Sequence, residues 1–226
     1  MKNLLVILIV FCSVISSWLA FAGANDKDSR SYWRNYIHAS VGQPPYYLHD
    51  SAMYLFPAQC PNCRAFSIGS GPGNEEIELI KGGWNVTGAD INPISGEIIS
   101  ERARLFHGRF DFQNVDLSKI KLTGSYSYFF SFFSLPFGKK KEVLKLIRYM
   151  SLYSKKGTIV AANFFGAEHD YVKQGVAFSM TEKEVRKALE SNRFQILYIL
   201  HRVYNKYDTD GNRTHWDVID FVARKK

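Results

Sequence analysis

The feature that most constrains the fold of this chain is an alternation of two kinds of segment between residues 65 and 191. Short apolar runs of strand length alternate there with amphipathic stretches of helical length. This alternation is typical of a mostly parallel sheet covered by helices. Five strands are predicted at 65–69, 85–90, 110–116, 126–130 and 158–163. Helices are predicted at 32–39, 74–81, 93–106, 140–153 and 181–191.

The C-terminal tail departs from this alternation. Two further strands, 195–204 and 216–224, are joined through the turn-forming residues 208–212 with no helix between them. Strands connected in this way pair antiparallel. The sequence therefore predicts an α/β fold of three layers, whose mostly parallel seven-stranded sheet ends in an antiparallel hairpin. The length of 226 residues suits one such domain rather than two.

The N-terminal segment is typical of a secretory signal peptide. No charged residue occurs from Asn3 to Asn25, and Leu4 to Phe11 is an unbroken apolar run. Two sites of the small-x-small type end at Ala22 and Ala24, where a signal peptidase would cleave. An uncleaved anchor is the alternative, because the apolar segment is just long enough to cross a bilayer, which takes about 20 residues.

The N-terminal segment divides the chain into two parts and bears on its location. Residues 1–24 are expected to be a signal peptide or signal anchor, and residues 25–226 the functional domain. We expect the domain to be exported to the periplasm or the medium; the alternative is a membrane-anchored protein with its domain in the cytosol. Contact with a membrane is expected only through the N-terminal segment, if it is uncleaved.

The charge of the chain is basic but dispersed. Lys and Arg number 29 against 21 Asp and Glu, which gives a net charge of +8. The longest basic runs, Lys139–Lys141 and Arg224–Lys226, are only three residues each. A nucleic-acid-binding protein would concentrate its basic residues in a patch or stripe. The pattern therefore argues against nucleic acid as a partner.

The pair Cys60 and Cys63 has the spacing of a redox motif. In an oxidising compartment these two residues could close a small disulfide. The pair precedes a predicted strand instead of starting a helix, which argues against catalysis by its thiols. Two cysteines are also too few ligands for a structural zinc ion, so no metal site is predicted.

The most informative segment is a glycine turn, Gly69–Gly73, of the form G-x-G-x-G between the first sheet strand and the helix after it. Such glycines permit a tight turn and the close approach of a ligand, and ligands bind at this end of an open α/β sheet. Asn74 replaces the third glycine of a dinucleotide fingerprint, which disfavours a nicotinamide-dependent oxidoreductase, and no Lys-Ser or Lys-Thr pair follows to make a P-loop. The second strand ends at Asp90, whose carboxylate can accept hydrogen bonds from ribose hydroxyls. A nucleoside-containing ligand is therefore predicted.

With the glycine turn followed by Asp90, the chain resembles the class I S-adenosylmethionine-dependent methyltransferases from about residue 32 to the C-terminus. Several further segments resemble the tellurite-resistance methyltransferase subgroup and its small-molecule relatives. These segments are Ser134–Phe137, Phe164–Gly166 with Asp170, Met180–Thr181, and His215–Lys225. The resemblance implies a Rossmann-like sandwich, S-adenosylmethionine as cofactor and a small-molecule acceptor.

The same resemblance implies roles for individual residues. The cofactor-binding residues would be Gly69, Ser70, Gly71 and Gly73 at the methionine moiety, Asp90 and Ile91 at the ribose, Asp116 and Leu117 at the adenine, and Ser131 facing the methyl group. The segment after the fourth strand and the polar groups expected over the cofactor end of the sheet supply the substrate-site candidates Phe133, Phe137, His169, Asp170 and His215.

The chain departs from the family pattern at two places. Ser67 stands where most members carry an acid two residues before the first glycine, so the turn lacks a carboxylate that usually orders it. Asn205 and Lys206 align loosely with a His–Arg pair that the tellurite enzymes carry before the last strand. The first departure bears on cofactor affinity and the second argues against tellurite as the substrate.

Methyl transfer from a sulfonium is an in-line displacement, so positioning can supply much of the rate without a dedicated base. A soft nucleophile such as a thiol or a chalcogen oxyanion needs little proton transfer, whereas an amine or hydroxyl needs a nearby carboxylate or histidine. The predicted function is methyl transfer to a small molecule. The alternative is a non-catalytic binding module on the same fold, motivated by Ser67 and by the export signal, since the cofactor is made in the cytosol.

Overall fold

The computed structural model describes residues 27–57, 60, 62–208 and 211–226. The predicted signal segment at residues 1–24 lies outside the described residues, as do Thr209 and Asp210 of the predicted hairpin turn. Within the described ranges, no helix combines the length and the apolar character that a membrane span requires.

The described chain contains the predicted helices and strands in the predicted order, with two further short helices at Tyr47–Met53 and Asp170–Lys173 that the sequence did not predict. The helices are α1 (Lys27–Ser40), α2 (Tyr47–Met53), α3 (Asn74–Lys81), α4 (Pro93–Ala103), α5 (Lys140–Leu152), α6 (Asp170–Lys173) and α7 (Glu182–Glu190). The strands are β1 (Arg64–Ile68), β2 (Asn85–Asp90), β3 (Arg109–Asn114), β4 (Tyr126–Ser131), β5 (Ser154–Phe165), β6 (Phe194–Tyr207) and β7 (Arg213–Lys225). Two short 3-10 helices, Leu117–Lys119 and Leu135–Phe137, follow β3 and β4.

The seven strands form one sheet in the order β3-β2-β1-β4-β5-β7-β6. Strands β1 to β5 are parallel, and β7 runs antiparallel to both of its neighbours, β5 and β6. This arrangement confirms the predicted three-layer sandwich and its C-terminal hairpin. The hairpin adds β7 against β5, so β6 becomes the outer strand.

Helix α2 was not predicted from the sequence, which indicated only a loop at Pro44–Pro45. No side chain caps the N-terminus of this seven-residue helix, so its local sequence gives little signal. Its buried residues Leu48, His49 and Ala52 pack on the sheet instead. Tertiary packing therefore stabilises a helix that local propensity does not announce.

A hydrophobic core lies on each face of the sheet. On one face, Phe66, Phe129 and Phe164 pack with residues of α5 and α7. On the other face, residues of α2, α3 and α4 pack around Tyr128. All six residues of β4 are buried, as expected for a central parallel strand covered on both sides.

A disulfide joins Cys60 and Cys63 directly before β1. The sequence predicted that this pair could close. Cys63 is buried against the core beneath α2 and α3, so the bond closes a short turn that leads into the first strand.

Candidate functional site

The candidate site lies where the sheet changes direction. From β1 the chain passes to β2 and β3 on one side, and β4 adds to the other side of β1. The connections that follow β1 and β4 therefore diverge, and ligands of open α/β sheets bind in the crevice between them. Ser131 Oγ donates a hydrogen bond to Ile68 O at 2.8 Å, and Ser134 Oγ donates to Gly69 O at 3.2 Å. These bonds hold the two diverging connections together at the base of the crevice.

The glycine turn adopts a backbone that side chains rarely permit. Gly69, Gly71 and Gly73 have φ angles of 73°, 51° and 73°. A Cβ atom at Gly69 would overlap Ser134, and one at Gly73 would overlap Ile99. A Cβ at Gly71 would instead meet no atom within 4 Å. The turn is thus packed at its two ends and open at its centre, which is the shape of a cradle for a ligand.

Asp90 joins this turn to the end of β2. Its Oδ2 accepts a hydrogen bond from Gly71 N at 2.9 Å, and its Oδ1 accepts one from Asn92 N at 2.8 Å. Burial raises the pKa of the Asp90 carboxyl above its usual range, and the N–H groups of Asn92 and Gly71 oppose that shift. Each carboxylate oxygen keeps a further lone pair with which to accept a hydrogen bond.

Buried polar atoms without partners collect around the same turn. Across the described part of the chain, the buried side-chain atoms that lack a hydrogen-bond partner are Ser70 Oγ, both carboxyl oxygens of Glu76, Ser95 Oγ and His169 Nε2. Ser70 belongs to the turn, Glu76 to the first turn of α3, and Ser95 lies beside Asp90. Buried polar groups are nearly always satisfied in folded proteins. A polar ligand in the cradle would supply the missing partners, so the residues present fit a nucleoside-containing cofactor.

The residues predicted at the ribose and adenine follow β2 and β3. Ile91 is 60% exposed directly after Asp90. Asp116 caps the 3-10 helix after β3, and its hydrogen bonds from the hydroxyl and amide of Ser118 hold the pKa of its carboxyl below the usual range. Leu117 is half-buried against the core. Asn114 Nδ2 donates to the carbonyls of Asp90 and Ile91 at 3.0 and 2.9 Å, so the ends of β2 and β3 are joined.

Aromatic rings cluster beyond the carboxyl ends of β4 and β5, across the switch point from the glycine turn. We define the aromatic wall as Trp33, Tyr46, Phe133, Phe137, Phe165 and Trp216. Within it, Phe133 contacts Tyr46 at a centroid distance of 4.9 Å and Trp216 at 5.6 Å, and Phe137 contacts Trp33 at 5.0 Å. Phe133 has a φ of 57°, in the left-handed region that favours glycine. Non-glycine residues are held there only when their surroundings compensate the strain, and such residues cluster at functional sites.

His169 is fully buried against the aromatic wall, 3.7 Å from the Phe165 ring. Its Nδ1 accepts a hydrogen bond from Tyr171 N at 3.1 Å, so in the neutral ring the proton sits on the unpartnered Nε2. Burial lowers the pKa of His169 to about 4, against the opposing charges of Asp170 and Asp217. At neutral pH this ring is therefore a hydrogen-bond donor without a partner.

The two remaining substrate-site candidates are engaged elsewhere. The Asp170 carboxylate accepts a hydrogen bond from His215 N at 2.7 Å. The ring of His215 faces Asn205 on β6, with Nδ1 and Oδ1 3.1 Å apart. The structure thus brings Phe133, Phe137 and His169 together around Phe165, and ties Asp170 and His215 to each other and to the hairpin.

A buried network that the sequence analysis missed supports the aromatic wall. Asp220 has no exposed surface and accepts hydrogen bonds from Arg202 Nε at 2.6 Å, Tyr47 OH at 2.7 Å and Tyr46 OH at 3.0 Å. Asn163 donates to Asp220 at 3.4 Å and accepts from the backbone N–H of Phe133 at 2.7 Å. The network thereby holds the strained Phe133 backbone. Its sequence signal is an acid inside the apolar run of the last strand.

Strand β6 also carries a His–Arg dipeptide. It occurs at His201 and Arg202, four residues before Asn205 and Lys206. His201 pairs with Asp217, and Arg202 with Asp220. A His–Arg pair is therefore present on β6, although Asn205 and Lys206 stand at the positions where the sequence comparison expected it.

Comparison with known proteins agrees with this geometry. Residues 57–222 match the sequence pattern of a protein family described as Tellurite resistance protein TehB. This match covers more than half of the chain. No curated protein matches the chain by sequence.

Several solved structures share the fold. TehB from Haemophilus influenzae superposes with a TM-score of 0.67 at 18% identity, covering 80% of this chain and 63% of that one. Magnesium protoporphyrin IX methyltransferase (ChlM) from Synechocystis PCC 6803 with bound SAH gives 0.61 at 18% identity, covering 89% and 96%. N-methyltransferase NodS from Bradyrhizobium japonicum WM9 in complex with S-adenosyl-L-homocysteine gives 0.62 at 11% identity, covering 86% and 97%. These likenesses show the fold, and this chain spans less than two thirds of the TehB chain.

The buried network yields a prediction about stability. In Asp220→Asn, Arg202 loses its buried ionic partner, and such losses are costly because they leave an uncompensated charge. Arg202 keeps some solvent contact, with 27% of its side chain exposed, so we expect a loss of roughly 2 to 3 kcal/mol in the free energy of unfolding. Urea denaturation followed by circular dichroism measures it.

The matched control is Glu182→Gln, which removes the pair between Glu182 and Arg186. Both of those side chains are more than 40% exposed, so that loss should stay below about 1 kcal/mol. Equal losses in the two variants would mean that the Asp220 network does not stabilise the fold.

Proposed function

Because the chain belongs to the family of tellurite resistance protein TehB, we propose that it is an S-adenosylmethionine-dependent methyltransferase that acts on a small-molecule acceptor. One observation carries this proposal: a glycine turn, open at Gly71 and bonded to Asp90, lies at the switch point of the sheet. The bound S-adenosylhomocysteine of ChlM and NodS supports S-adenosylmethionine as the cofactor.

The described residues would divide the cofactor between two sides of the crevice. The open centre of the turn at Gly71 would admit the methionine moiety, and the Asp90 carboxylate would accept hydrogen bonds from ribose hydroxyls. The exposed Ile91 and the half-buried Leu117 would cover the adenine. When bound, S-adenosylmethionine would supply an electrophilic methyl group on a positively charged sulfur.

The aromatic wall would form the acceptor side. Its rings exclude water and fix the direction from which an acceptor approaches, and such positioning can contribute up to roughly 7 to 11 kcal/mol to the rate of a well-aligned displacement. The Nε2–H of His169 would donate a hydrogen bond to an oxygen of the acceptor, because that buried atom has no partner in the protein. The faces of aromatic rings carry partial negative charge, so they would also attract the positively charged sulfonium of the cofactor.

The same histidine bears on the class of acceptor. Its Nδ1 is occupied by Tyr171 N and its Nε2 carries the proton, so neutral His169 has no lone pair with which to accept a proton. Asp170 is bonded to the backbone of His215. His169 and Asp170 are thus poorly placed to deprotonate an amine or hydroxyl, and the ring of His215 faces Asn205 on β6. We therefore favour a soft nucleophile, a thiol that has already lost its proton to solvent or a chalcogen oxyanion, which needs little proton transfer in the site.

Cofactor binding is the first test. We expect S-adenosylhomocysteine to bind the folded domain in isothermal titration calorimetry, and Asp90→Asn to weaken it by roughly 10- to 100-fold, the worth of a hydrogen bond to a charged group. Asp111→Asn is the matched control, since Asp111 is an exposed acid of the neighbouring β3. No binding at millimolar ligand would refute the proposed function.

The acceptor class is tested by measuring S-adenosylhomocysteine formation. With S-adenosylmethionine present, we expect product with tellurite, selenite or a small thiol, and none with a simple amine or alcohol of similar size. The physical reason is that the buried His169 offers these acceptors a hydrogen-bond donor and cannot act as their base. Tight cofactor binding with no product from any of these acceptors would favour the non-catalytic binding module.

We also propose that residues 1–24 direct export and are removed. The charge-free apolar segment supports this, and the disulfide between Cys60 and Cys63 suits an oxidising compartment. An anchor that keeps the domain in the cytosol, where the cofactor is made, is the alternative. We expect N-terminal sequencing of the mature protein to begin at Asn25; a chain that begins at Met1 or Lys2 would instead support the anchor.

A further inference from the structure

We propose that the Glu76 carboxylate binds the ammonium group of the cofactor's methionine moiety and so takes the place of the acid missing at Ser67. This inference rests on the proposed function and assigns a role that the sequence analysis did not give to Glu76.

Glu76 lies close to both the glycine turn and Ser67. It is the third residue of α3, directly after the glycine turn, and its side chain has no exposed surface. The hydroxyl groups of Ser67 and Ser70 face its carboxyl from β1 and from the turn. Because the Ser67 side chain itself faces the Glu76 carboxyl, an acid at position 67 would place its own carboxyl in the same region. The acid has moved from the strand to the helix that packs on it.

The carboxyl of Glu76 has no hydrogen-bond partner. The hydroxyls of Ser67 and Ser70 face it closely enough to oppose the rise in its pKa. Neither forms a well-aligned hydrogen bond with it, so both carboxyl oxygens and the Ser70 hydroxyl lack a partner. A buried polar group without a partner costs free energy, and a buried carboxylate without one costs more. Ser70 belongs to the turn, so the unpartnered carboxyl of Glu76 lies next to the cradle. A cationic donor that enters from the cradle would satisfy it.

The charges around Glu76 support a cation as that donor. Glu75 of α3 and Tyr128 of β4 face it, and neither can supply positive charge. Arg102 of α4 is near, but its guanidinium donates to Pro72 O at 2.7 Å and Asn74 Oδ1 at 3.2 Å. No Lys or Arg in the described ranges forms an ion pair with Glu76. In the described part of the chain the Glu76 carboxyl is therefore left without a directly bonded cationic partner.

The protonation state of Glu76 then couples to binding. Burial and the charge of the neighbouring Glu75 raise the pKa of Glu76 to about 8, against the opposing effect of the Ser67 and Ser70 hydroxyls. Without ligand, the carboxyl is mostly protonated at pH 7. An ammonium beside it favours the carboxylate, so the proton passes to solvent while the ammonium keeps its own protons and donates to Glu76. Binding should therefore release a proton.

The experiment compares two ligands by titration calorimetry of the full domain. S-adenosylhomocysteine carries the ammonium, and 5′-methylthioadenosine keeps the adenosine and sulfur without it. We expect Glu76→Gln to weaken the binding of S-adenosylhomocysteine by roughly 10- to 100-fold, which corresponds to the loss of a hydrogen bond to a charged group. Its affinity for 5′-methylthioadenosine should not change. Glu78→Gln, on the exposed side of the same helix, is the matched control and should leave both affinities unchanged.

Proton release is measured in the same way. At pH 7, titrations in phosphate and in Tris give the number of protons released from the difference in buffer ionisation heat. We expect about one proton for the wild-type protein with S-adenosylhomocysteine and about none for Glu76→Gln. The double variant Ser67→Asp with Glu76→Ser, which returns the acid to the strand, should recover most of the affinity.

A stability measurement shows whether Glu76→Gln remains folded. The pKa of Glu76 in the folded state, about 8, lies above its ordinary value of 4.5, so its contribution to stability is full below pH 4.5 and is lost as the pH rises to about 8. Gln cannot ionise. Thermal unfolding at pH 8 should therefore show Glu76→Gln at least as stable as the wild-type protein.

The outcomes separate this inference from the proposed function. Wild-type protein that binds S-adenosylhomocysteine without releasing a proton would overturn the role of Glu76 and leave the function standing, even if Glu76→Gln does not fold. Equal weakening of both ligands by Glu76→Gln would also overturn it, because the effect would then be structural. Wild-type protein that binds neither ligand would overturn both proposals.

Discussion

The hydrogen bond from the Gly71 amide to the Asp90 carboxylate joins the two strands on which the candidate site depends. It sets the separation between the glycine turn after β1 and the end of β2. A turn with three left-handed glycines has little side-chain packing of its own, so hydrogen bonds hold its shape: besides the bond to Asp90, Gly69 N and Ser70 N donate to Ala89 O at 2.7 and 3.2 Å. Arg102 holds the same turn from α4 through the Pro72 carbonyl. The cradle is therefore shaped by polar contacts that come from outside it.

The opposite side of the crevice is fixed by a different device. Phe133 is kept in a costly backbone conformation because its N–H bonds to Asn163, which bonds in turn to Asp220. Burial and the charge of Asp220 raise the pKa of Tyr46 and of Tyr47, so both hydroxyls remain protonated and donate to it. The network links α2, β5, β6 and β7 with the connection that follows β4. The hairpin that ends the chain thus helps to position the aromatic wall, and is more than an addition to the edge of the sheet.

Much of the fold could be predicted because its signals are local. Apolar runs separated by amphipathic stretches identify β1 to β5, and the capping box at Thr181 and Glu184 locates the start of α7, as the structure confirms. Helix α2 and the Asp220 network could not be predicted, because their contacts join residues far apart in the chain, such as Tyr46 and Asp220. Glu76 did leave a signal. It precedes Leu79 by three residues and Ile80 by four, which places it on the buried face of α3, although a run of acids suggests a solvated one.

Helix α1 brings the beginning of the described chain to the crevice. Trp33 of α1 stacks edge-on against Phe137, and Gly42, which follows the helix, donates a hydrogen bond to Asn74 at the start of α3. Six residues of helix separate Lys27 from Trp33, a rise of about 9 Å. A fluorophore or affinity tag fused ahead of α1 would thus sit within reach of the ligand pocket. A small label attached at that end would report on whether the ligand pocket is occupied, and a bulky one would obstruct the pocket. The C-terminal end of β7 lies at the opposite end of the sheet, so a label there would be remote from the pocket.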